Sequence, residues 1–385
     1  MARVTDVGIL LATLTPGHVG GSETYARGLL GAFAAGHGPA RATVLAHRPA
    51  ARTLDGLAGA VAVHELRGAA PPAGGAARAA WLVRALAGAR VRPARGLGVD
   101  VVHAPLTIPV PGVAGVPLVV TLHDVAHHEV PASFSAAERA FRRVAYDAPA
   151  RRAALVVTDS EHARGEIAAR LGIAGERIVA IHHGLDHARF SPDADHDDDA
   201  RALAPLGLPD RRFVVYPANL WVHKNHERLL EGLAASGTGD LALVLTGQRG
   251  PRWARLQELA ARLGVATRLH HLGYVPGAAL PALYRRADGL VFPSLFEGFG
   301  APPLEAMACG CPVAASAAGA VAEVTGVAAL RFDGRDPAAI GDALRRLAED
   351  DALRARLRAA GLAHAAAFTW ARTARAHVEA YERAR

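Results

Sequence analysis

Short apolar runs alternate with amphipathic segments from one end of the chain to the other. "DVGILLATL" (6–14) lacks polar alternation and predicts a strand covered on both faces. A helix is expected after it from Ser22 to about Ala35. "ATVLAHR", "VAVHEL", "VDVVHAP" (99–105), "PLVVTLHD" (117–124), "ALVVTDS" and "RIVAIHHG" predict further strands. Ser135 with Glu138 three residues on is a capping box, so a helix starts there. "SPDADHDDDARAL" (191–203) is acidic and has no large apolar residue before Leu203, which reads as a solvated linker ending near 205.

The pattern then restarts. "RFVVYPANL" (212–220), "LALVLTG" (241–247), "RLHHLGYV" (268–275), "DGLVFPS" (288–294), "CPVAAS" (311–316) and "AALRFDG" (328–334) predict strands. Helices are expected at 226–236, 252–264 and 279–287, briefly after Pro302, at length after Pro337 and finally after Trp370. Strands alternating with helices predict parallel sheets. The expected fold class is α/β, with two doubly wound, Rossmann-like parallel-sheet domains. Their expected bounds are 1–190 and 206–368, joined by a linker at 191–205, with a last helix at 369–385 returning to the first domain. Ligands on such sheets bind beyond the carboxyl ends of the strands. The expected site is the cleft between the two domains.

Composition narrows the function. At 385 residues the chain is too long for one ordinary core. Its net charge of +7 invites nucleic acid, anionic lipid or phosphorylated ligands. The basic residues are nearly all arginine, dispersed with no block, and only 5% of residues are aromatic. That pattern argues against nucleic acid. Cys309 and Cys311 stand one residue apart, a poor disulfide span, and read as small core residues in a reducing cytosol. The N-terminal stretch lacks the features of a signal peptide, and no run is long enough to span a bilayer. A cytoplasmic protein is expected. Any membrane contact would be peripheral, at the inner face of the plasma membrane.

Residues with chemistry cluster at predicted strand ends. In "TPGHVGGSETYARGLL", Gly20 and Gly21 allow close backbone approach, Ser22 can cap the following helix, and Glu23 suits its first turn. A helix start behind glycines can hold an anion. A plain tight turn explains the same residues, and the dinucleotide fingerprint G-x-G-x-x-G is absent. "VVTLHD" ends a strand in His123 and Asp124, while His103 ends a neighbouring strand and reads as structural. In "YPANLWVHKNHERLLEGL", Lys224 and Asn225 precede a helix whose dipole disfavours a lysine. An anion between them would satisfy both, and an exposed lysine remains the plainer reading.

"EGFGAPPLEAMACG" poses the sharpest question. Pro302 and Pro303 suit a first helical turn and Gly310 a helix end. Glu305 would complement the dipole with or without a ligand. Glu297 beside Gly298 has no such reason to be there. The glycines at 298 and 300 free backbone N–H groups to face an anion.

Taken in order, "GGSETYARGLL", "TLHD", "SFSAAERAFRR", "DSEHARGEIAARLGIAGERIVAIHHGLD", "KNHERLLEGL", "LGYVP", "EGFGAPPLEAMACGCPVAAS" and "FTWARTARAHVEAY" resemble glycosyltransferase family 4, retaining enzymes of the GT-B architecture. Glu297 and Glu305 match the E-x7-E spacing of that family. The resemblance implies that Glu305 holds the ribose hydroxyls of the donor and Glu297 the hydroxyls of the transferred sugar. Backbone groups at Gly298, Phe299 and Gly300 would support sugar or phosphate, and Lys224 would bind the diphosphate. Gly20 and Gly21 would let the first-domain loop approach the donor, His123 would lie beside the reacting carbon, and the Tyr274–Val275 loop would touch the base.

One departure stands out. Where many members carry Gly-Arg, this chain has Ala218-Asn219, so Asn219 replaces a cation of the diphosphate clamp. His223 or Arg249 would have to compensate. The implied partners are a nucleoside diphosphate sugar (GDP-mannose or a UDP-sugar) and a glycan or lipid-linked acceptor. No cofactor and no metal are expected, since no acidic D-x-D-type site stands in a suitable loop. A nucleotide-sugar epimerase, a pyridoxal-dependent phosphorylase and a non-catalytic nucleotide-sugar-binding subunit are the alternatives on the same architecture.

Overall fold

The computed structural model describes residues 5–385 except 40, 58–59, 92–97 and 194–195. The chain divides into two compact units, residues 1–184 with 369–385, and residues 185–368. The first is built on a seven-stranded sheet of β1 (Asp6–Leu10), β2 (Arg41–His47), β3 (Val61–Leu66), β4 (Val101–Ala104), β5 (Leu118–Thr121), β6 (Leu155–Thr158) and β7 (Ile178–Ala180). The second has six strands, β8 (Phe213–Pro217), β9 (Ala242–Thr246), β10 (Leu269–His271), β11 (Gly289–Phe292), β12 (Val313–Ser316) and β13 (Leu330–Phe332). Spatial orders are β3-β2-β1-β4-β5-β6-β7 and β10-β9-β8-β11-β12-β13, and every pairing is parallel. The central strands are buried throughout, as unbroken Val/Leu/Ala runs require.

In each sheet the strand order reverses once, between β1 and β4 and between β8 and β11. Crossovers leave in opposite directions there, so the loops at those two strand ends diverge and leave a crevice. Lys224 follows β8 and Glu297 follows β11, so the second crevice receives both.

Sequence expectations need four corrections. Ser22 does not cap the first helix, Gly21–Ala32. Gly20 is the N-cap, with φ 64°, and Ser22 lies inside the first turn. Glu23 performs a related task, accepting the Gly17 N–H at 2.8 Å. The acidic stretch is no bare linker: His196–Leu203 is helical, and Arg285 grips Asp199 through Nε–Oδ2 (2.7 Å) and Nη2–Oδ1 (2.5 Å). A bidentate pair of that kind fixes the segment to the second unit. Residues 194–195 of it lie outside the described residues. Helices at Gly75–Val91 and Gly319–Thr325 are additions to the expected set, because alanine- and glycine-rich segments carry little apolar periodicity. The strand at 6–14 ends at Leu10, although Leu11, Ala12 and Leu14 stay buried.

The last helix, Trp370–Ala384, belongs to the first unit and is tied to its strand ends by a buried polar chain. His377 Nδ1 lies 2.8 Å from the Thr373 carbonyl, which can only accept, so Nδ1 carries the proton. His377 Nε2 then accepts from Tyr25 Oη at 2.6 Å. Tyr25 Oη in turn accepts from Thr121 Oγ1 (3.0 Å), and Thr121 accepts from His103 Nε2 (2.7 Å). His103 Nδ1 completes the run by accepting from Tyr381 Oη at 2.8 Å. With both imidazoles neutral, one terminal carbonyl thus sets the direction of every bond. Burial agrees, holding His103 well below its ordinary pKa and pushing His377 down to about 4.

A histidine depressed in the folded state binds fewer protons than the unfolded chain between the two pKa values, so stability falls as pH falls through that window. Between about pH 6.5 and pH 4 the first unit should lose stability in urea melts. His377→Gln should flatten that loss relative to the parent. An identical slope in both proteins would show that His377 does not contribute.

Candidate functional site

β8 delivers the loop 218–225, which closes in a single 3-10 turn, Val222–Lys224, ahead of the His226–Ala235 helix. Asn225 takes the left-handed conformation (φ 63°, ψ 33°) that lets the chain turn sharply into the helix. Its buried Nδ2 donates to the carbonyls of Pro293 (3.0 Å) and Gly334 (2.6 Å), at the ends of β11 and β13. Tyr216 Oη donates to the Lys224 carbonyl at 2.9 Å, and Leu295 N–H donates to that of His223 at 2.8 Å. The Lys224 backbone is therefore fixed from three sides.

Lys224 is the only lysine among the 43 Lys and Arg residues of the chain. An ammonium on a flexible stem supplies what arginine does not, a compact point charge with three donors that can be redirected. Its Nζ lies 2.5 Å from Glu297 Oε1, and the same oxygen accepts from Ser294 Oγ at 2.6 Å. Lys224 and Glu297 side chains are 14% and 13% exposed, so solvent and ligands can still reach the pair. Burial pushes the Tyr216 hydroxyl well up, and the Glu297 charge adds to it. Burial also pushes His226 down to about 3, aided by Lys224, so this neighbour is neutral.

Glu305 lies in the second turn of the Ala301–Ala308 helix, whose first turn holds Pro302 and Pro303. Its Oε2 accepts from Tyr284 Oη at 3.2 Å, and burial holds its carboxyl above the usual range against opposing help from Tyr284 and Arg189. Gly300 caps this helix at φ 91°, a conformation that demands glycine, and the Phe299 side chain is buried. Gly298 sits half-buried between Glu297 and Phe299.

Asn219 acts as a brace. Its Oδ1 accepts the Gln248 N–H at 2.8 Å, joining the loops after β8 and β9. Gly247 N–H donates to Gly273 O at 2.7 Å, which extends the join to the loop after β10. In that loop Tyr274 is exposed and Val275 buried. Arg249 donates to the His271 carbonyl at 3.0 Å and lies 5.4 Å from the Trp253 ring centre. His223 packs its ring against Trp221 and Phe296. Arg249 is thus engaged at the carboxyl end of β10, and His223 in an aromatic cluster.

In the first unit, Gly20 and Gly21 have open space where a side chain would stand. His123 follows β5, with Nδ1 2.8 Å from Asp159 Oδ2 and Nε2 3.1 Å from the Pro105 carbonyl. His183 Nε2 lies 3.0 Å from Asp159 Oδ1. Burial alone would lower the His123 pKa, but the Asp159 charge and hydrogen bond raise it overall. Burial would likewise raise Asp159, yet His123 and His183 hold it well below the usual carboxylate range. Asp124 shapes the loop by accepting the Ala126 N–H at 2.8 Å. Asp159 and His183 are not among the residues that the sequence singles out. Both stand just past strands, in "TDS" and "HHG", and only the neighbouring order of β5, β6 and β7 reveals that their side chains meet.

His127, His128 and Asp147 also converge, at 2.8 and 2.9 Å. His127 Nδ1 is buried with no acceptor among the described residues. Its proton therefore belongs on Nε2, facing Asp147, which suits a hydrogen-bonded triad.

Two family models match the chain, Glycosyltransferase Family 4 over residues 19–189 and Glycosyl transferases group 1 over residues 200–364. It is 36% identical to a D-inositol 3-phosphate glycosyltransferase of Salinispora arenicola, over 69% of this chain and 63% of that one. It is 33% identical to O-antigen chain mannosyltransferase B of Escherichia coli, over 60% and 61%. The chain thus spans about three fifths of the length of these relatives. Among solved structures it resembles HepE of Anabaena, crystallised with UDP and glucose (TM-score 0.73, 21% identity, 98% and 99% coverage). It also resembles sucrose-phosphate synthase of Thermosynechococcus elongatus (TM-score 0.74, 21% identity, 98% of each chain). With both family models matched in order and both sheets of the GT-B class present, the chain belongs to the family 4, group 1 glycosyltransferases.

Proposed function

We propose that the protein transfers a hexosyl group, with retention, from a nucleoside diphosphate sugar to a glycan or lipid-linked acceptor. The observation that carries this is Lys224: the sole lysine of the chain, locked by its backbone at the β8–β11 crevice and paired with the first glutamate of E-x7-E. The names of the relatives, and the UDP bound by HepE, support a nucleotide-sugar donor, GDP-mannose or a UDP-sugar.

In this reading the donor diphosphate takes over Lys224, and Glu297 turns to hydroxyls of the sugar. Glu305 receives the ribose hydroxyls. The acceptor oxygen bonds to the anomeric carbon on the face the diphosphate leaves, and the carbon–oxygen bond to the diphosphate breaks. The acceptor proton passes to the departing phosphate oxygen, whose charge Lys224 stabilises. This chemistry needs no metal and no nucleophile on the protein. A second reading, a subunit that binds the donor without turnover, draws on Asn219, which is committed to Gln248 where a second cation is expected.

Lys224→Ala should lose a charge-assisted bond of about 1.5–3 kcal/mol, or roughly 10–100-fold in transfer rate. Unchanged kinetics would remove Lys224 from the mechanism. Because the chain has one lysine, amine-directed acylation read by mass spectrometry reports Lys224 apart from the amino terminus. UDP or GDP should protect it, and a thermal-shift panel of UDP, GDP, ADP and dTDP forms should select one base by mass action. Lack of both protection and any shift at millimolar nucleotide would refute the donor site. Glu297→Gln frees Lys224 from its internal partner, so it should bind the nucleoside diphosphate more tightly while transferring sugar more slowly. Weaker nucleotide binding in that variant would reverse the assigned exchange. Donor binding without transfer to any acceptor would favour the second reading.

A further inference from the structure

His123 has an acceptor on each side. The Pro105 carbonyl faces Nε2, and the Asp159 carboxylate faces Nδ1. A carbonyl has no proton to give, and neither does an ionised carboxylate, so each contact asks the imidazole to donate. A neutral ring can donate only once and would direct its lone pair at an oxygen. The geometry is satisfied by the imidazolium alone.

Asp159 is placed to maintain that state. Its side chain is 3% exposed, and it is held between His123 and His183 at the ends of three adjacent strands. The Tyr25 ring meets the His123 ring edge-on at 5.1 Å and the His183 ring at 4.8 Å, packing against both histidines. Charged and titratable groups facing His123 are Asp159, Asp124 and His183, with His103 more distant and neutral. The Tyr25 hydroxyl is spent in the buried chain to His377. The two carboxylates therefore govern the ring.

We propose that Asp159 is a positioning residue that fixes the His123 ring and keeps both its nitrogens protonated, so that the end of β5 carries a full positive charge. The raised pKa of His123 agrees. An imidazolium has no lone pair, so His123 cannot act as a base toward the acceptor. It offers a fixed positive charge, since both of its N–H groups are spent on Asp159 and the Pro105 carbonyl. The ion pair is a property of the fold, while its part in catalysis rests on the transferase reading above.

The test is ¹⁵N NMR of histidine-labelled full-length protein, with His123 assigned by subtracting the spectrum of His123→Asn. In the parent both His123 nitrogens should be protonated at pH 6, with a midpoint above the ordinary value of about 6.5. Asp159→Asn keeps a hydrogen-bond acceptor and removes the charge, so the midpoint should fall by at least about one pH unit. The alkaline limb of log kcat/KM should move down with it, so that well above the parent midpoint kcat/KM falls about tenfold, while KM for the donor changes little. Asp159→Glu should restore the limb. A neutral, single-tautomer His123 in the parent at pH 6 overturns the proposal, and that spectrum decides even if the variants do not fold. A midpoint that moves while the rate profile stays fixed overturns the catalytic part. Absence of transfer with every donor counts against the transferase reading alone, since the NMR result needs no turnover.

Discussion

Every strand in both sheets runs parallel, and the location of all the chemistry follows from that. A parallel strand must be reached by a crossover, so each strand ends on the same edge as its neighbours and each carboxyl-end loop opens there. Side chains far apart in sequence meet because their strands are adjacent. Lys224 and Glu297 are 73 residues apart and touch because β8 pairs with β11. His123 and Asp159 are 36 residues apart and touch because β5 pairs with β6. Had either sheet contained an antiparallel strand at these positions, one partner of each pair would lie at the opposite edge.

Parallel topology brings loops together but does not hold them still. That is the task of buried polar side chains spent on backbone. Asn225 ties the β8 loop to two other strand ends, Asn219 ties it to the β9 loop, and Gly247 passes the connection to the β10 loop. In the first unit the Tyr381–His103–Thr121–Tyr25–His377 chain fixes the last helix against β4, β5 and the first helix. Such groups are costly to bury unpaired, and the bonds that these side chains make hold the loops in place. Preorganised loops let a few charged groups act without rearranging around a ligand.

How much of this is legible in the sequence depends on how local each signal is. Strands at Val101–Ala104, Leu155–Thr158 and Gly289–Phe292 announce themselves as unbroken apolar runs, and the Ser135–Glu138 box marks its helix within four residues. Pro302, Pro303 and Gly310 bracket another. Gly75–Val91 is obscure because alanine and arginine fit any face, though Leu82 and Leu86 are buried one turn apart. Ser22 has the residue type of a cap, but the turn closes one residue before the helix on a glycine whose φ no serine would readily adopt. Asp159 and His183 are hidden for a different reason. Their meaning depends on strand order, which no local window contains. Lys224 carries a global signal as well as a local one, since its uniqueness is visible only over the whole chain.

The two ion pairs are built for opposite ends. Asp159 is almost wholly buried and touches two histidines, and His123 has an acceptor on each nitrogen. Breaking that pair would leave the buried Asp159 charge without this partner, which is costly, so it stays closed. In the other pair neither partner is as deeply buried as Asp159, and the lysine stem can swing while its backbone remains clamped. A pair in that setting contributes modestly, because partly exposed charges are screened and long side chains lose entropy on pairing. An incoming dianion offers the ammonium a stronger partner, and the released carboxylate is left beside Ser294 with acceptor capacity for hydroxyls. Closed on itself, the pair keeps both charges satisfied, and on the proposed reading the small cost of opening it is met by the donor, which replaces each partner. On the proposed transferase reading, the fixed pair sets a field and the exchangeable pair is the one that opens to the donor.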